Sequence, residues 1–121
     1  MIVSDCCNKV SFGYSSPLKT LFKKGKLPTV TKGFYGGTLT KDTVSLEHLI
    51  PHSQGGKTVL SNLALATKKN NNLRGDKPLK DFLTKEMLDD YIEEFEKINL
   101  PYFNGKKYIE ELLKTIGGLL K

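Results

Sequence analysis

The chain has 121 residues, of which 38% are hydrophobic and 26% are charged. This is enough for one compact domain with a modest core and too few for two ordinary domains, so we predict a single domain over residues 1–121. There is no apolar run typical of a signal peptide or of a membrane span, which predicts an intracellular, cytoplasmic protein without a membrane partner.

The formal net charge of +6 is concentrated in the first two thirds of the chain. Residues 1–41 carry seven lysines against one acid, residues 42–80 carry six basic groups against three acidic ones, and residues 81–121 carry six against nine. A basic portion indicates either a polyanion partner such as nucleic acid or an ordinary solvated face. Arg74 is the only arginine, which leaves little capacity for bidentate contacts that read guanine.

The first fifteen residues have no sustained periodicity. We assign no element there and predict three buried anchors, Val3, Val10 and Phe12. Cys6 and Cys7 are adjacent and form no CxxC pair, so they predict neither a zinc knuckle nor a disulfide framework. A single cysteine ligand contributed to some other site stays open.

Two elements are predicted before the central stretch of the chain. Ser16 and Pro17 are typical of a helix start and Gly25 of a helix stop, which predicts a short helix over 17–24. Residues 29–45 are rich in Thr, Val and Gly and predict a hairpin that turns at Tyr35-Gly36-Gly37.

The central stretch predicts a strand, a loop, a second strand and a helix. The first strand, around Val44 to Leu46, ends by delivering Glu47 and His48. A loop with Gly55-Gly56 spans 51–57, and the second strand covers Leu63 to Ala66. Thr67 can then cap a helix that begins at Lys68 and ends at Gly75 or Pro78.

The last third of the chain is helical and amphipathic. Apolar residues recur at spacings of three and four and predict one helix over about 85–98 and another over about 107–116 that continues at most to 120. Residues 99–106 form the connector between them. We expect both apolar stripes to pack into the core.

Glu47 and His48 carry the chemistry. A histidine with an ordinary pKa of about 6.5 can take a proton from water near neutral pH, and a carboxylate beside it is a hard oxygen ligand for Mg²⁺. The asparagine cluster at 70–72 can approach from the helix across the turn and add an amide oxygen. This combination suits metal-assisted hydrolysis of a phosphodiester.

The order and spacing of these residues resemble the HNH endonuclease family. The resemblance covers about residues 34–80 and rests on the following segments: Tyr35-Gly36-Gly37-Thr38-Leu39, Glu47-His48-Leu49-Ile50-Pro51, Gly55-Gly56, Ser61-Asn62-Leu63, Asn71 nine positions after Asn62, and Arg74-Gly75-Asp76.

The resemblance implies an α+β fold with a ββα-metal finger, in which two strands and a helix hold one divalent ion. A short helix and hairpin would precede this finger, and two packing helices in 81–121 would complete its core. His48 would be the general base, Glu47 and Asn71 the metal ligands, and Asn62 the residue that braces the loop and holds His48. The ion is expected to be Mg²⁺ or Mn²⁺.

Two departures from the family pattern bear on the metal. Thr67 and Asn70 stand where many members have a cysteine pair, so no structural zinc is expected. Gly75 replaces the additional helical histidine of toxin-type members. A site with few protein ligands suits Mg²⁺ or Mn²⁺ better than a transition metal bound through nitrogen.

DNA is the expected partner, and the sequence leaves RNA open. The expected nucleic-acid contacts are Lys57, Lys68, Lys69, Arg74, Lys77 and His52, and for His52 an ordinary surface position in the loop stays open. A homodimer or a larger nucleoprotein complex also stays open, as does a phage or mobile-element origin. The alternative to a nuclease is a catalytically idle nucleic-acid-binding or inhibitor module on the same scaffold.

Overall fold

The computed structural model describes residues 15–120, with side chains from Leu18 onward. The predicted anchors Val3, Val10 and Phe12 and the two cysteines lie outside the described residues. The helices are α1 (Ser15–Lys23), α2 (Lys68–Arg74), α3 (Leu79–Phe82), α4 (Lys85–Glu96) and α5 (Gly105–Leu119). The strands are β1 (Val44–His48), β2 (Leu63–Thr67), β3 (Asn99–Leu100) and β4 (Phe103–Asn104). This mixture of helices and strands confirms the predicted α+β class.

The centre of the molecule is the antiparallel pair of β1 and β2. Val44 pairs with Thr67 and His48 with Leu63, so the strands are joined by a loop that starts and ends at the His48 end of the pair. All five residues of β2 are buried. The helix α2 follows β2 without a linker because the Thr67 hydroxyl accepts the Asn70 N–H at 3.1 Å and caps it.

The segment before β1 is less regular than the hairpin predicted over 29–45. Its only strand-like pairing in the described chain is one antiparallel bridge between Lys32 and Thr38. The Phe34 N–H donates to the Leu65 carbonyl at 2.8 Å, so the turn residues are fixed to β2 instead of extending the hairpin.

The two predicted C-terminal helices are present with adjusted ends. The Thr84 hydroxyl accepts the Met87 N–H and caps α4. The helix α5 begins two residues earlier than predicted because the Asn104 side chain accepts the Lys107 N–H at 3.0 Å. The sequence did not predict α3 or the short β3–β4 pair.

The C-terminal helices also satisfy the outer edge of β2. The Tyr91 hydroxyl on α4 accepts the Leu65 N–H at 3.0 Å, and the Tyr108 hydroxyl on α5 donates to the Leu63 carbonyl at 2.6 Å. The two hydroxyl oxygens are 2.9 Å apart. A two-stranded sheet is marginal alone, and here helices bury it and use its free hydrogen-bonding groups. None of the helices within residues 15–120 is long and apolar enough to cross a membrane.

Candidate functional site

Asn62 ties together the loop between β1 and β2. Its side chain is buried, with 4% of its surface exposed. The Oδ1 atom accepts the Ile50 N–H at 2.8 Å, and Nδ2 donates to the carbonyls of Lys57 at 2.9 Å and Ile50 at 3.2 Å. One amide therefore links the beginning of the loop to its later part, which is the geometry that a brace requires.

Gly56 allows the Ile50 carbonyl and the Asn62 side chain to lie close to the backbone of the loop. A Cβ atom at this position would lie 1.7 Å from the Ile50 carbonyl oxygen and 3.0 Å from Asn62 Nδ2. The preceding Gly55 has a φ of 87°, in the left-handed region that favours glycine. The two glycines thus have separate roles, one in the turn and one in the contact with the brace.

His48 ends β1 and is half-buried. Its Nε2 atom lies 3.0 Å from the Thr58 hydroxyl, and the His52 ring meets it edge-on with centroids 6.2 Å apart. Partial burial lowers the pKa of His48, and the positive charge of His52 lowers it further. The neutral form, which can accept a proton, is therefore favoured at a lower pH than in an ordinary histidine.

Glu47 faces a different environment and forms a buried network. The Tyr35 hydroxyl donates to Glu47 Oε2, and Arg74 Nη1 lies 3.2 Å from the same oxygen. The Arg74 and Glu47 side chains are only 3% and 6% exposed. Burial raises the pKa of Glu47, while the bond from Tyr35 and the charge of Arg74 oppose that shift. Burial and the neighbouring carboxylate raise the pKa of Tyr35.

Arg74 also connects the network to the end of β1. Its Nη1 donates to the His48 carbonyl at 3.1 Å, and its Nε donates to the Lys77 carbonyl at 2.8 Å. Arg74 was expected to contact a phosphate, but its side chain is buried. The guanidinium would have to leave the interior before a phosphate could reach it.

The three asparagines of α2 make different contacts. Asn71 Nδ2 donates to the Ser45 hydroxyl at 2.8 Å and to the Leu46 carbonyl at 3.2 Å, so this side chain crosses from α2 to β1. Asn70 Nδ2 instead donates to the Tyr35 carbonyl at 3.1 Å and holds the turn before β1. Asn72 is exposed.

The remaining expected nucleic-acid contacts are on the surface. Five side chains are exposed: Lys57, Lys68, Lys69, Lys77 and His52. They come from the braced loop, from the first turn of α2 and from the segment after it. The four lysines therefore place positive charge on the loop, on α2 and on the segment after it.

The residues expected to bind a metal have the type of donor atom that Mg²⁺ prefers. Among the described residues there is no group of three or more His, Cys, Asp or Glu side chains that can hold an ion. Asn71 Oδ1 accepts no hydrogen bond from the described part of the chain, and Glu47 is a carboxylate. Two oxygen donors suit Mg²⁺, which usually keeps several waters. The Arg74 charge opposes a cation beside Glu47, so such an ion would be held weakly.

Sequence reasoning missed three contributors to this site. The sequence indicates Tyr35 only as part of a turn in a segment that resembles the HNH family, and it assigns no role to Thr58 or to the Ser45 hydroxyl. Ser45 lies two residues before Glu47 on a strand, so it shares the face of the strand that meets α2. That periodicity is the one signal that pointed to any of the three.

No protein-family model matches the chain, and neither a curated protein nor a solved structure shows significant similarity to it.

Proposed function

We propose that this protein is a divalent-metal-dependent endonuclease of the HNH type that hydrolyses phosphodiester bonds in DNA. One observation carries the proposal: a half-buried histidine of lowered pKa ends β1 beside the loop that Asn62 braces. A helix that follows β2 directly brings Asn71 against the same strand. This arrangement agrees with the order of roles that the HNH-like sequence implies.

In the proposed reaction His48 acts as the general base. The neutral imidazole takes a proton from water, and the water oxygen forms a bond to phosphorus as the bond from phosphorus to the 3′ oxygen breaks. The leaving 3′ oxygen is protonated from solvent. Asn62 contributes by keeping the loop beside His48 closed, so that the ring stays in one position.

Glu47 and Asn71 are the residues that would hold the metal. A bound Mg²⁺ would supply positive charge to the scissile phosphate and to the leaving oxygen. Because Arg74 already shares the Glu47 carboxylate, the protein supplies little net negative charge of its own. Phosphate oxygens of the substrate would then contribute a large part of the attraction for the ion.

The exposed lysines favour a nucleic acid as the substrate. Lys57 is on the braced loop that follows His48, and Lys68 and Lys69 begin α2, so positive charge follows His48 along the chain in both the loop and the helix. Lysine contacts to phosphates give affinity without reading sequence. We therefore propose that DNA binding is dominated by its backbone and weakens strongly as the salt concentration rises.

A second candidate function is an idle nucleic-acid-binding module. The ion pair of Glu47 and Arg74 favours it, because a carboxylate that already has a buried cationic partner needs no metal. The half-buried His48 and the Asn71 oxygen, which has no hydrogen-bonding partner among the described residues, favour the nuclease. The two candidates differ in a single measurable property, which is cleavage.

A plasmid-nicking assay tests the proposal. Supercoiled DNA is incubated with the wild type, with His48→Ala and with Asn71→Ala, in Mg²⁺, in Mn²⁺ and in EDTA. Asn72→Ala is the matched control because Asn72 is the exposed neighbour of Asn71. We expect nicking by the wild type and by Asn72→Ala only with metal, and at least a 100-fold loss in the other two variants.

Equal nicking by the wild type and by His48→Ala would overturn the proposal. Cleavage of RNA but not DNA would assign the same chemistry to the other nucleic acid. Binding by a folded protein without any cleavage would establish the idle module.

A further inference from the structure

The side chain of Thr58 is the only hydrogen-bonding partner of the His48 ring among the described residues. Its hydroxyl oxygen lies 3.0 Å from Nε2, and both side chains are half-buried. Ten positions separate the two residues, so the bond crosses the loop from its middle to the end of β1. Nothing in the sequence pattern singles out Thr58.

This bond gives the two ring nitrogens different surroundings. Nε2 is occupied by Thr58, whereas Nδ1 makes no hydrogen bond within the described chain. In a neutral imidazole one nitrogen carries the proton and the other accepts, and a hydroxyl can pair with either nitrogen form. The position of Thr58 therefore leaves Nδ1 as the nitrogen that is open to a substrate.

Thr58 lies in a part of the loop that is held on both sides. The Lys57 carbonyl accepts Asn62 Nδ2 at 2.9 Å, and the Asn62 N–H donates to the Val59 carbonyl at 2.8 Å. A β-branched side chain also has few rotamers. The Asn62 brace thus reaches the His48 ring through Thr58, which explains how an amide that bonds only to backbone can position an imidazole.

We propose that Thr58 is the positioning residue for His48: its hydroxyl accepts the Nε2 proton and leaves Nδ1 as the nitrogen that takes the proton from water. This rests on the proposed role of His48 as general base. The valine variant keeps the shape of the side chain and removes the hydroxyl, whereas the serine variant keeps the hydroxyl.

The test compares Thr58→Val, Thr58→Ser and the control Thr29→Val in the full chain. Thr29 is matched because its part-buried hydroxyl donates one 2.8 Å bond, to the Glu94 carbonyl. We expect Thr58→Val to lower kcat by on the order of 10- to 100-fold with little change in KM. Thr58→Ser should recover most of that loss, and Thr29→Val should keep the wild-type kcat.

A second measurement does not depend on activity. The ¹⁵N chemical shifts of the His48 ring, recorded at a pH where the ring is neutral, report which nitrogen carries the proton. We expect the Nε2–H form to dominate in the wild type and in Thr58→Ser, and a mixture of both forms in Thr58→Val.

Several outcomes would overturn the inference. These are an Nδ1–H form in the wild type, a wild-type kcat in a folded Thr58→Val, or a serine variant as impaired as the valine one. A wild type that cleaves no nucleic acid while its ring keeps the Nε2–H form would instead overturn the proposed function and support the bond, so the two failures are distinguishable.

Discussion

Glu47 and His48 are neighbours in sequence but have unlike surroundings. Successive side chains of a strand point to opposite faces. Glu47 is therefore enclosed with Tyr35 and Arg74, while His48 meets Thr58 in the loop. No carboxylate in the described chain hydrogen-bonds to His48, so nothing there stabilises its protonated form. This separation favours a neutral imidazole next to a buried carboxylate whose Oε2 atom is held by Tyr35 and Arg74.

The first prediction concerns pH. Burial and His52 lower the pKa of His48, so the base stays neutral to a lower pH, and kcat/KM for cleavage should fall only below the ordinary pKa of about 6.5. Removal of the His52 charge in His52→Asn should move this midpoint upward. The pH profile of kcat/KM measures both. A wild-type midpoint above about 6.5 would contradict the prediction.

The same shift affects stability with a definite sign. Because the folded pKa of His48 is below the unfolded one, its contribution to stability is present above the unfolded pKa and is lost as the pH falls through the folded pKa. The free energies of unfolding of the wild type and of His48→Asn, measured with urea across the acidic range, should therefore approach each other as the pH falls.

The second prediction concerns the buried ion pair. Arg74→Met leaves the Glu47 carboxylate without its cation and should lower the free energy of unfolding by about 3–5 kcal/mol. Tyr35→Phe removes one hydrogen bond and should cost about 1–3 kcal/mol. Urea unfolding measures both. Lys85→Ala breaks an exposed pair with Asp89 and serves as the control, with no measurable change expected. An Arg74→Met variant as stable as this control would contradict the pair's role.

The sequence was sufficient to nominate candidate residues of the site but not to predict their environment. His48, Asn62 and Asn71 were found through order and spacing within one short stretch. The burial of Arg74 could not be predicted in this way, because its partner Glu47 lies 27 residues away and an arginine in a basic segment is ordinarily exposed. Thr58 was missed for a related reason, since its role comes from the folded loop alone.

At the scale of elements, the loop between β1 and β2 is more ordered than its composition suggests. Two short 3₁₀ turns, His52–Gln54 and Leu60–Asn62, leave few free residues between the strands. The Leu49 N–H also donates to the Asn62 carbonyl at 2.9 Å and extends the pairing of β1 and β2 beyond His48. The loop thus behaves as a continuation of the sheet.

The third prediction tests this order. Gly56→Ala places a methyl group against the Ile50 carbonyl, so it should displace the Asn62 brace, lower stability and reduce cleavage together. Gly117→Ala is the control because open space surrounds this helical position, and it should stabilise α5 by roughly 0.5–1 kcal/mol. Thermal unfolding and the nicking assay measure the two effects. A Gly56→Ala variant with wild-type stability would show that the loop can yield.

The regular elements were predictable where periodicity and caps agreed. The strands β1 and β2, the cap at Thr67 and the stripes of α4 and α5 all follow from local signals. The hairpin over 29–45 was overestimated, because Thr, Val and Gly favour extended structure but β2 and Asn70 hold this segment in a turn. Such tertiary hydrogen bonds override local preference.

At the scale of the whole molecule, one hydrophobic cluster joins the two halves of the chain. Residues of α4 and α5 such as Phe95, Ile109 and Leu112 belong to the same cluster as Leu63 and Leu65 of β2. The β1–β2–α2 unit alone is too small to bury its apolar faces. The acidic last third therefore completes a core that the basic portion shares, and the exposed lysines remain on the outer surface.

The fourth prediction is that the first two thirds of the chain do not fold alone. A fragment of residues 1–84 lacks α4 and α5, and should show neither a cooperative unfolding transition by circular dichroism nor dispersed amide resonances. Addition of the 85–121 fragment in excess should restore some structure if the shared cluster is the cause. A cooperative transition in the shorter fragment alone would contradict the prediction.

The tyrosine bonds to β2 have a consequence for hydrogen exchange. The Leu65 N–H donates to the buried Tyr91 hydroxyl, and we expect this bond to open only when α4 leaves the sheet. Its exchange with deuterium should therefore report global unfolding. The Ile50 N–H, held by one amide oxygen in a part-buried loop, should exchange through local opening that is faster and nearly independent of urea. The loop beside His48 can then open and close many times before the core unfolds once.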